Sequence, residues 1–331
     1  MNMKTIQTSA LVGILLATLA MAQPSPSVVA DNGARALVYT EIQPASSQAD
    51  PAAQSYRRWG LPHRTARQKG DPPSAHSRLL VYVITSGLQF GAVDLRSGTF
   101  IAIGPGLPAD VGGGLVPGPH KSLLTLSSSG NLEAIDPVTG RTAVVGATGL
   151  GDCSTPTSSC GPNSANVIGQ LDDTYYATDF AQNLYSVRPR TGAAKLIGPT
   201  GIPSITFIPF SANPDGSLNV YAESLFSARG KLYANFATAS LNPATGTAAP
   251  IIPGALYEIN PKTGHARLVA PTDTSLTSVV NVNETIYAFN AETGEVVTLD
   301  VTNGLTAAAS VLDPAAGLIG GATPARPAEK D

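Results

Sequence analysis

From residue 79 onward, short apolar runs alternate with polar turn residues at a period too short for helices. Five of these runs read LLVYVIT (79–85), SLLTLSS (122–128), TYYATDF (174–180), KLYANFA (231–237) and TIYAFNA (285–291). Each is followed by a motif of one form: FGAVDLRSGTFIAIG at 90–104, LEAIDPVTGRTAVVG at 132–146, LYSVRPRTGAAKLIG at 184–198, LYEINPKTGHARLVA at 256–270 and VVTLDVTNGLTAAAS at 296–310. In that motif a strand ends at a polar residue, a short turn closes on glycine, and a further strand begins. A fourth apolar stretch precedes each of the last four units: GGGLVPG, ANVIGQL, ESLFSAR and LTSVVNV. Short runs of this kind, bounded by Gly, Asn and Pro, predict strands, four to a unit.

The turns lie 42 residues apart from Asp94 to Asp136, then 52, 72 and 40 residues apart as far as Asp300. Four strands in about 40 residues is the period of a propeller blade. The first unit lacks an innermost strand of its own, and Gly317–Thr323 at the other end of the chain is a spare one. The prediction is an all-β chain forming a β-propeller of five four-stranded blades, with the C-terminal strand pairing into the first blade so that no sheet edge is left open. Six blades are the alternative, with a degenerate blade in 199–224, but that stretch lacks the Asx–Gly turn. A two-sheet sandwich would not repeat one motif five times.

Composition adds context to this pattern. With 33 Gly and 27 Pro but only 13% charged residues, the chain is rich in turns and poor in the charge pairs that support helices. Residues 1–22 read as an export signal: Lys4, an apolar run from Leu11 to Leu19, then Ala20-Met21-Ala22 as a cleavage site. The expected location is therefore secreted or periplasmic, and the run is too short to span a membrane. Residues 23–78 read as a flexible basic leader, with Trp59 beside Arg57 and Arg58, and 79–331 as the propeller domain. From residue 79 on, 12 Lys and Arg stand against 19 Asp and Glu, which argues against nucleic acid as a partner. Cys153 and Cys160, the two cysteines, flank a Ser- and Pro-rich loop and are expected to form a local disulfide.

The LYxIDPxTG turn with its following VxxIG-like strand resembles secreted bacterial β-propeller repeats, the broad group that includes NHL-type and streptogramin-lyase-like propellers. The resemblance covers roughly residues 79–323. It implies a fold, and it leaves function open, because such repeats serve binding proteins, lyases and lactonases alike.

Asp94, Asp136, Asn260 and Asp300 head the repeated turns, where an Asx side chain caps backbone amides. Arg188 holds that place in the third unit, so these residues are not a ligand set. Insertions at 146–164, 200–217 and 239–254 are expected to share one face, the usual way a rigid scaffold carries a site. Thr85, Ser127, Asp179 and Asn290 end the second strands on the same rim. The candidate ligand contacts are Tyr176, Asp179, Phe180 and Asn290, with Phe207 and Phe210 as an apolar wall and Asp215 and Glu223 as further carboxylates. The plainer reading makes these satisfied turn residues plus a loop folded on its own aromatics.

His63, His76, His120 and His265 form no metal set, and no Gly-x-Ser-x-Gly or His-Glu-x-x-His motif occurs. The resemblance to streptogramin-lyase-like propellers implies a histidine base near a metal, yet no histidine falls on a candidate inner strand. A lactonase-like calcium centre would require Asp179, Glu223, Asn235 and Asn281 to converge. The expected function is a non-enzymatic, monomeric binding module for a carbohydrate, peptide or protein, with no cofactor. The alternative is a metal-assisted hydrolase or lyase, with Asp179 and Glu223 around calcium or magnesium.

Overall fold

The computed structural model describes residues 79–85, 87–108, 110–111, 113–151, 163–204, 218–242, 247–273, 276–291, 293–316 and 319–325. Cys153, Cys160, Phe207, Phe210 and Asp215 lie outside them, as do the export signal and the leader. The described strands form five four-stranded antiparallel sheets. In chain order, β1 (Leu80–Thr85), β2 (Phe90–Asp94) and β3 (Phe100–Ala102) belong to blade 1, and β4 (Val116–Pro117), β5 (Leu123–Leu126), β6 (Asn131–Ile135) and β7 (Thr142–Ala147) form blade 2. Blade 3 is β8 (Ala165–Leu171), β9 (Thr174–Asp179), β10 (Asn183–Val187) and β11 (Ala194–Pro199). Blade 4 is β12 (Leu218–Ala228), β13 (Lys231–Asn242), β14 (Thr247–Ile259) and β15 (Ala266–Pro271). Blade 5 is β16 (Leu276–Val282), β17 (Thr285–Asn290), β18 (Glu295–Leu299) and β19 (Thr306–Val311).

The last strand, β20 (Ile319–Pro324), is the innermost strand of blade 1. It runs antiparallel to β1, with Val81 opposite Pro324 and Val83 opposite Ala322. The protein is thus a five-bladed β-propeller closed by its C-terminal strand, as the repeat spacing predicts.

Blades hold to one another through five apolar clusters, one at each junction. Ile84 and Phe90 meet Leu115 and Leu123 between blades 1 and 2, and Leu124 and Leu132 meet Ile168 and Tyr175 between blades 2 and 3. Leu184 meets Leu225 between blades 3 and 4, Leu256 meets Val279 between blades 4 and 5, and Val83 meets Phe289 where blade 5 returns to blade 1. Strands buried on both faces need near-continuous apolar sequence, which is why the inner strands read as runs and not as alternations.

The turn glycines explain the other half of the repeat. Gly98, Gly140, Gly192, Gly264 and Gly304 all have left-handed backbones, with φ between +68° and +84°. Each also lies against the outermost strand of the preceding blade: a Cβ there would fall on the carbonyl oxygen of Val311, Ile103, Gly146, Gly198 or Pro271 respectively. The Asx ahead of the glycine caps the same turn. Asp136 accepts from the Val138 amide at 2.8 Å and Asn260 from the Lys262 amide at 2.9 Å. Where Arg188 replaces the Asx, the main-chain bond from the Gly192 amide to the Arg188 carbonyl remains, at 2.8 Å.

One part of the predicted layout differs. Residues 239–254 are largely strand, not loop. β12, β13 and β14 run 11, 12 and 13 residues, against 7, 6 and 5 for β8, β9 and β10. The β12–β13 register continues without a break from Ala228↔Lys231 out to Leu218↔Leu241, and β13 pairs with β14 as far as Asn242↔Thr247. Register shifts at Phe236–Ala239 mark where this three-stranded extension leaves the blade, since an unpaired residue bends and twists a ladder. The Ile252 amide donates to Thr238 Oγ1 at 3.0 Å across that bend.

Candidate functional site

The β12–β14 extension rises from the rim that also carries the Asp179 turn and the ends of the 146–164 and 200–217 connections. Glu223 lies at its base, on β12, at the junction of blades 3 and 4. Its carboxylate is enclosed by side chains from blade 3. Thr178 Oγ1 of β9 donates to Oε1 at 2.9 Å, and Gln182 Nε2 donates to Oε2 at 2.9 Å. Asn166 Nδ2 donates to Oε2 as well. Asn166 can reach because it occupies the register shift of β8 between Ala165 and Val167, where an extra residue re-aims its side chain.

Gln182 sits in the β9–β10 turn with φ +63° and is 2% exposed. Its main-chain oxygen accepts from both the amide and the hydroxyl of Thr200, at 2.9 and 2.7 Å, and Thr200 Oγ1 accepts in turn from the Ile202 amide. Gln182 therefore ties Glu223 to the start of the 200–217 connection. Its Oε1 is buried without a hydrogen-bond partner among the described residues.

Burial is the main influence on Glu223 and pushes its carboxyl up to about 7. The hydrogen bonds from Gln182, Thr178 and Asn166 act the other way, and the nearby Asp179 adds to the rise. Asp179 is 0% exposed and its oxygens are engaged: Asn183 donates through its amide at 2.8 Å and its Nδ2 at 2.9 Å, and the Tyr185 hydroxyl donates at 2.8 Å. Burial, then the hydrogen bond and charge of Asp179, push the Tyr185 hydroxyl up.

The remaining sequence candidates fall apart from this cluster or behind it. Tyr176 packs in the apolar core between blades 3 and 4, and Phe180 is buried with its amide on the Ser164 carbonyl at 3.2 Å. Asn290 stands at the next junction, where its Nδ2 donates to Asp273 at 2.9 Å and its Oδ1 accepts from the Thr293 amide at 3.1 Å. Asn235 is fully buried and accepts from Thr272 Oγ1 at 2.8 Å; Asn281 donates to the Ser227 carbonyl at 2.9 Å. These two asparagines are held by partners other than Glu223 and Asp179. Among the described residues, no group of three or more His, Cys, Asp or Glu could hold a metal ion.

A third buried carboxylate is absent from the sequence candidates. Glu133 on β6 is 4% exposed, and its carboxyl is pushed up to about 7 by burial and by Asp110, against a hydrogen bond with Ser127. Ser127 and Ser129 share a hydrogen bond at 2.7 Å, and Ser129 donates to Asp110 at 3.1 Å. The repeat held a signal for it. Where Glu133 stands, the later repeats have Tyr185, Tyr257 and Val297, so one charge interrupts an apolar and aromatic column.

No protein-family model matches this chain, and no curated protein sequence does. Several solved structures are similar to this chain at a low level. The chain is similar to a protein in the crystal structure of a nidogen/laminin complex, with TM-score 0.43 and 14% identity over 75% of this chain and 98% of that one. It is similar to the PQQ-bound aldose sugar dehydrogenase of Streptomyces coelicolor, with TM-score 0.36 and 14% identity over 67% and 86%. Against BamB from Moraxella catarrhalis the TM-score is 0.30 and the identity 14%, over 68% and 73%. At these levels the likeness carries no argument about this chain, and the reading of function rests on its own residues.

Proposed function

We propose that this protein is an exported binding module that engages a carbohydrate, peptide or protein through the rim bearing the β12–β14 extension. The extension is the observation that carries the proposal. Among the described strands, those of blade 4 alone run well beyond what its junctions with blades 3 and 5 use, and a strand extension projecting from a rigid ring is built for presentation. The described ends of the 146–164 and 200–217 connections meet the same rim. The carboxylates nominated by the sequence support this reading too. The oxygens of Asp179 and Glu223 are committed to donors from the protein itself, so they hold the rim in shape.

The test is to shorten the β13–β14 hairpin by replacing residues 239–250 with a two-residue turn. Binders to the intact protein are first selected from a glycan array and from a displayed random-peptide library. The shortened chain is expected to keep its melting temperature within a few degrees and to lose those binders by tenfold or more. Undiminished binding by a folded, shortened chain would remove the extension from the site. A melt with calcium, then magnesium, then chelator checks the hydrolase alternative: a large metal-dependent rise would show that the folded state binds the ion.

A further inference from the structure

We propose that Glu223 and Gln182 form a two-position proton device at the junction of blades 3 and 4, which couples the protonation of Glu223 to the hold on the 200–217 connection. The geometry supplies both positions. In one, Glu223 is ionised and accepts from Gln182 Nε2 at 2.9 Å, while Gln182 Oε1 is left buried with no partner among the described residues. In the other, Glu223 carries the proton on Oε2, and the Gln182 amide turns over about its last side-chain bond. Its Oε1 then accepts the Glu223 O–H, and its Nε2 takes the buried place where Oε1 had no partner, so the two positions each leave one polar atom idle and the proton on Glu223 sets which. Thr178 is a hydroxyl and Asn166 an amide, so the other two contacts ask for no charge in either state.

The surroundings leave the proton to decide. Asp179 on β9 is the ionisable group whose charge acts on Glu223, and it disfavours ionisation. The other facing positions carry no charge: Asn166 on β8, Thr178 on β9, Gln182 in the β9–β10 turn, and Phe236 opposite on β13. The ion pairs among the described residues are those of Glu258 with Lys231 and Arg267, elsewhere on blade 4. A buried carboxyl without a cation titrates well above the usual range, which brings the change to near-neutral pH.

The consequence passes through the main chain. Gln182 is held in a left-handed conformation and receives both hydrogen bonds of Thr200 on its carbonyl. Turning its side chain alters the load on that residue, so the Thr200 and Ile202 amides are the places to read the change.

The experiment is a titration of the full chain by carbon-13 NMR with labelled glutamate and glutamine side chains, the Glu223 resonance being assigned by its loss in Glu223→Gln. The expected result is a Glu223 carboxyl midpoint within about one pH unit of 7, with the Gln182 side-chain amide shifting at the same midpoint. In Glu223→Gln, which keeps the shape of the protonated acid, the Gln182 shift disappears, and exchange protection at Thr200 and Ile202 no longer changes across that range. A carboxyl midpoint below 5, or a Gln182 amide indifferent to Glu223, overturns the proposal. If the variant does not fold, the Glu223 and Gln182 side chains are assigned by through-bond correlation to their backbone resonances, and the coincidence of the two wild-type midpoints decides. None of these readouts uses a ligand, so the result is independent of the binding role.

Discussion

Two buried glutamates set the behaviour of this protein toward pH at the level of single residues. Both Glu133 and Glu223 rise from 4.5 to about 7 on folding, with burial as the first cause. A folded-state value above the unfolded one means that the native state binds the proton more tightly. The resulting stabilisation is complete below about pH 4.5 and is lost as the pH climbs through 7. Since a tenfold change in proton affinity is about 1.4 kcal/mol, a rise of this size is worth roughly 3 kcal/mol for each residue. Glu258, held down by Lys231 and Arg267, acts in the opposite direction in acid, but at an exposed site it is worth only tenths of that. The melting temperature is therefore expected to fall between pH 5 and pH 8, where many proteins are at their most stable. Glu133→Gln should flatten about half of that fall in a calorimetric pH series. A variant profile parallel to the wild-type one would show that Glu133 ionises normally. The sequence marked Glu223 as a carboxylate near the rim but could not show its enclosure, because Asn166, Thr178 and Gln182 lie 57, 45 and 41 residues away in the chain. No local pattern encodes that meeting.

At the scale of the element, the repeat was legible because each of its letters has a local cause. The Asx caps, the glycine turns and the apolar run buries, so strands such as β8 and β16 begin and end where their sequences say. What the pattern hid was the second duty of the glycine, its contact with the neighbouring blade, and the growth of β13 and β14 into a hairpin. Pro250, Pro253 and the Ala- and Thr-rich composition of 239–254 read as loop, whereas the backbone pairs through most of it. The double duty can be separated by comparing two glycines with similar torsions. Gly192 has φ +77° and faces the Gly146 carbonyl; Gly230 has φ +69° and nothing within 4 Å of the point where a Cβ would stand. Gly230→Ala should cost about 1 kcal/mol for the left-handed backbone alone. Gly192→Ala must also displace blade 2 from blade 3, and should cost at least twice as much by denaturant melt. Equal losses would mean that the junction yields freely, and that the glycine is there for its torsion alone.

At the scale of the whole molecule, closure is what turns five marginal sheets into one cooperative unit. Each blade covers its faces only with its neighbours, so a missing strand leaves one junction without a wall and β1 with an open edge. Ile319 and Ala322 of β20 belong to the same apolar cluster as Val83 of β1 and Phe289 of β17, so the closing strand seals both the sheet edge and the junction with blade 5. A chain ending at Leu312 is expected to lose its single sharp melt and to associate on a sizing column. Such a failure alone would not separate closure from the mere loss of apolar area, and the geometry offers a cleaner comparison. The Ala325 amide donates to the Leu80 carbonyl at 3.1 Å, so the end of β20 lies beside the start of β1. Joining residue 325 to residue 79 through a short loop would make that pair an ordinary hairpin, and new ends can be opened at the exposed Asp172–Asp173 turn between β8 and β9. This permuted chain keeps every strand, and it should stay monomeric and melt within a few degrees of the original propeller domain. New ends there would also cut the covalent link inside blade 3, at its junction with blade 4 but at the opposite end of β8 and β9 from Asn166 and Thr178. A large loss of stability in the permuted chain, with the closing hairpin intact, would place the cooperative centre of the ring at that junction and not at the seam between β20 and β1.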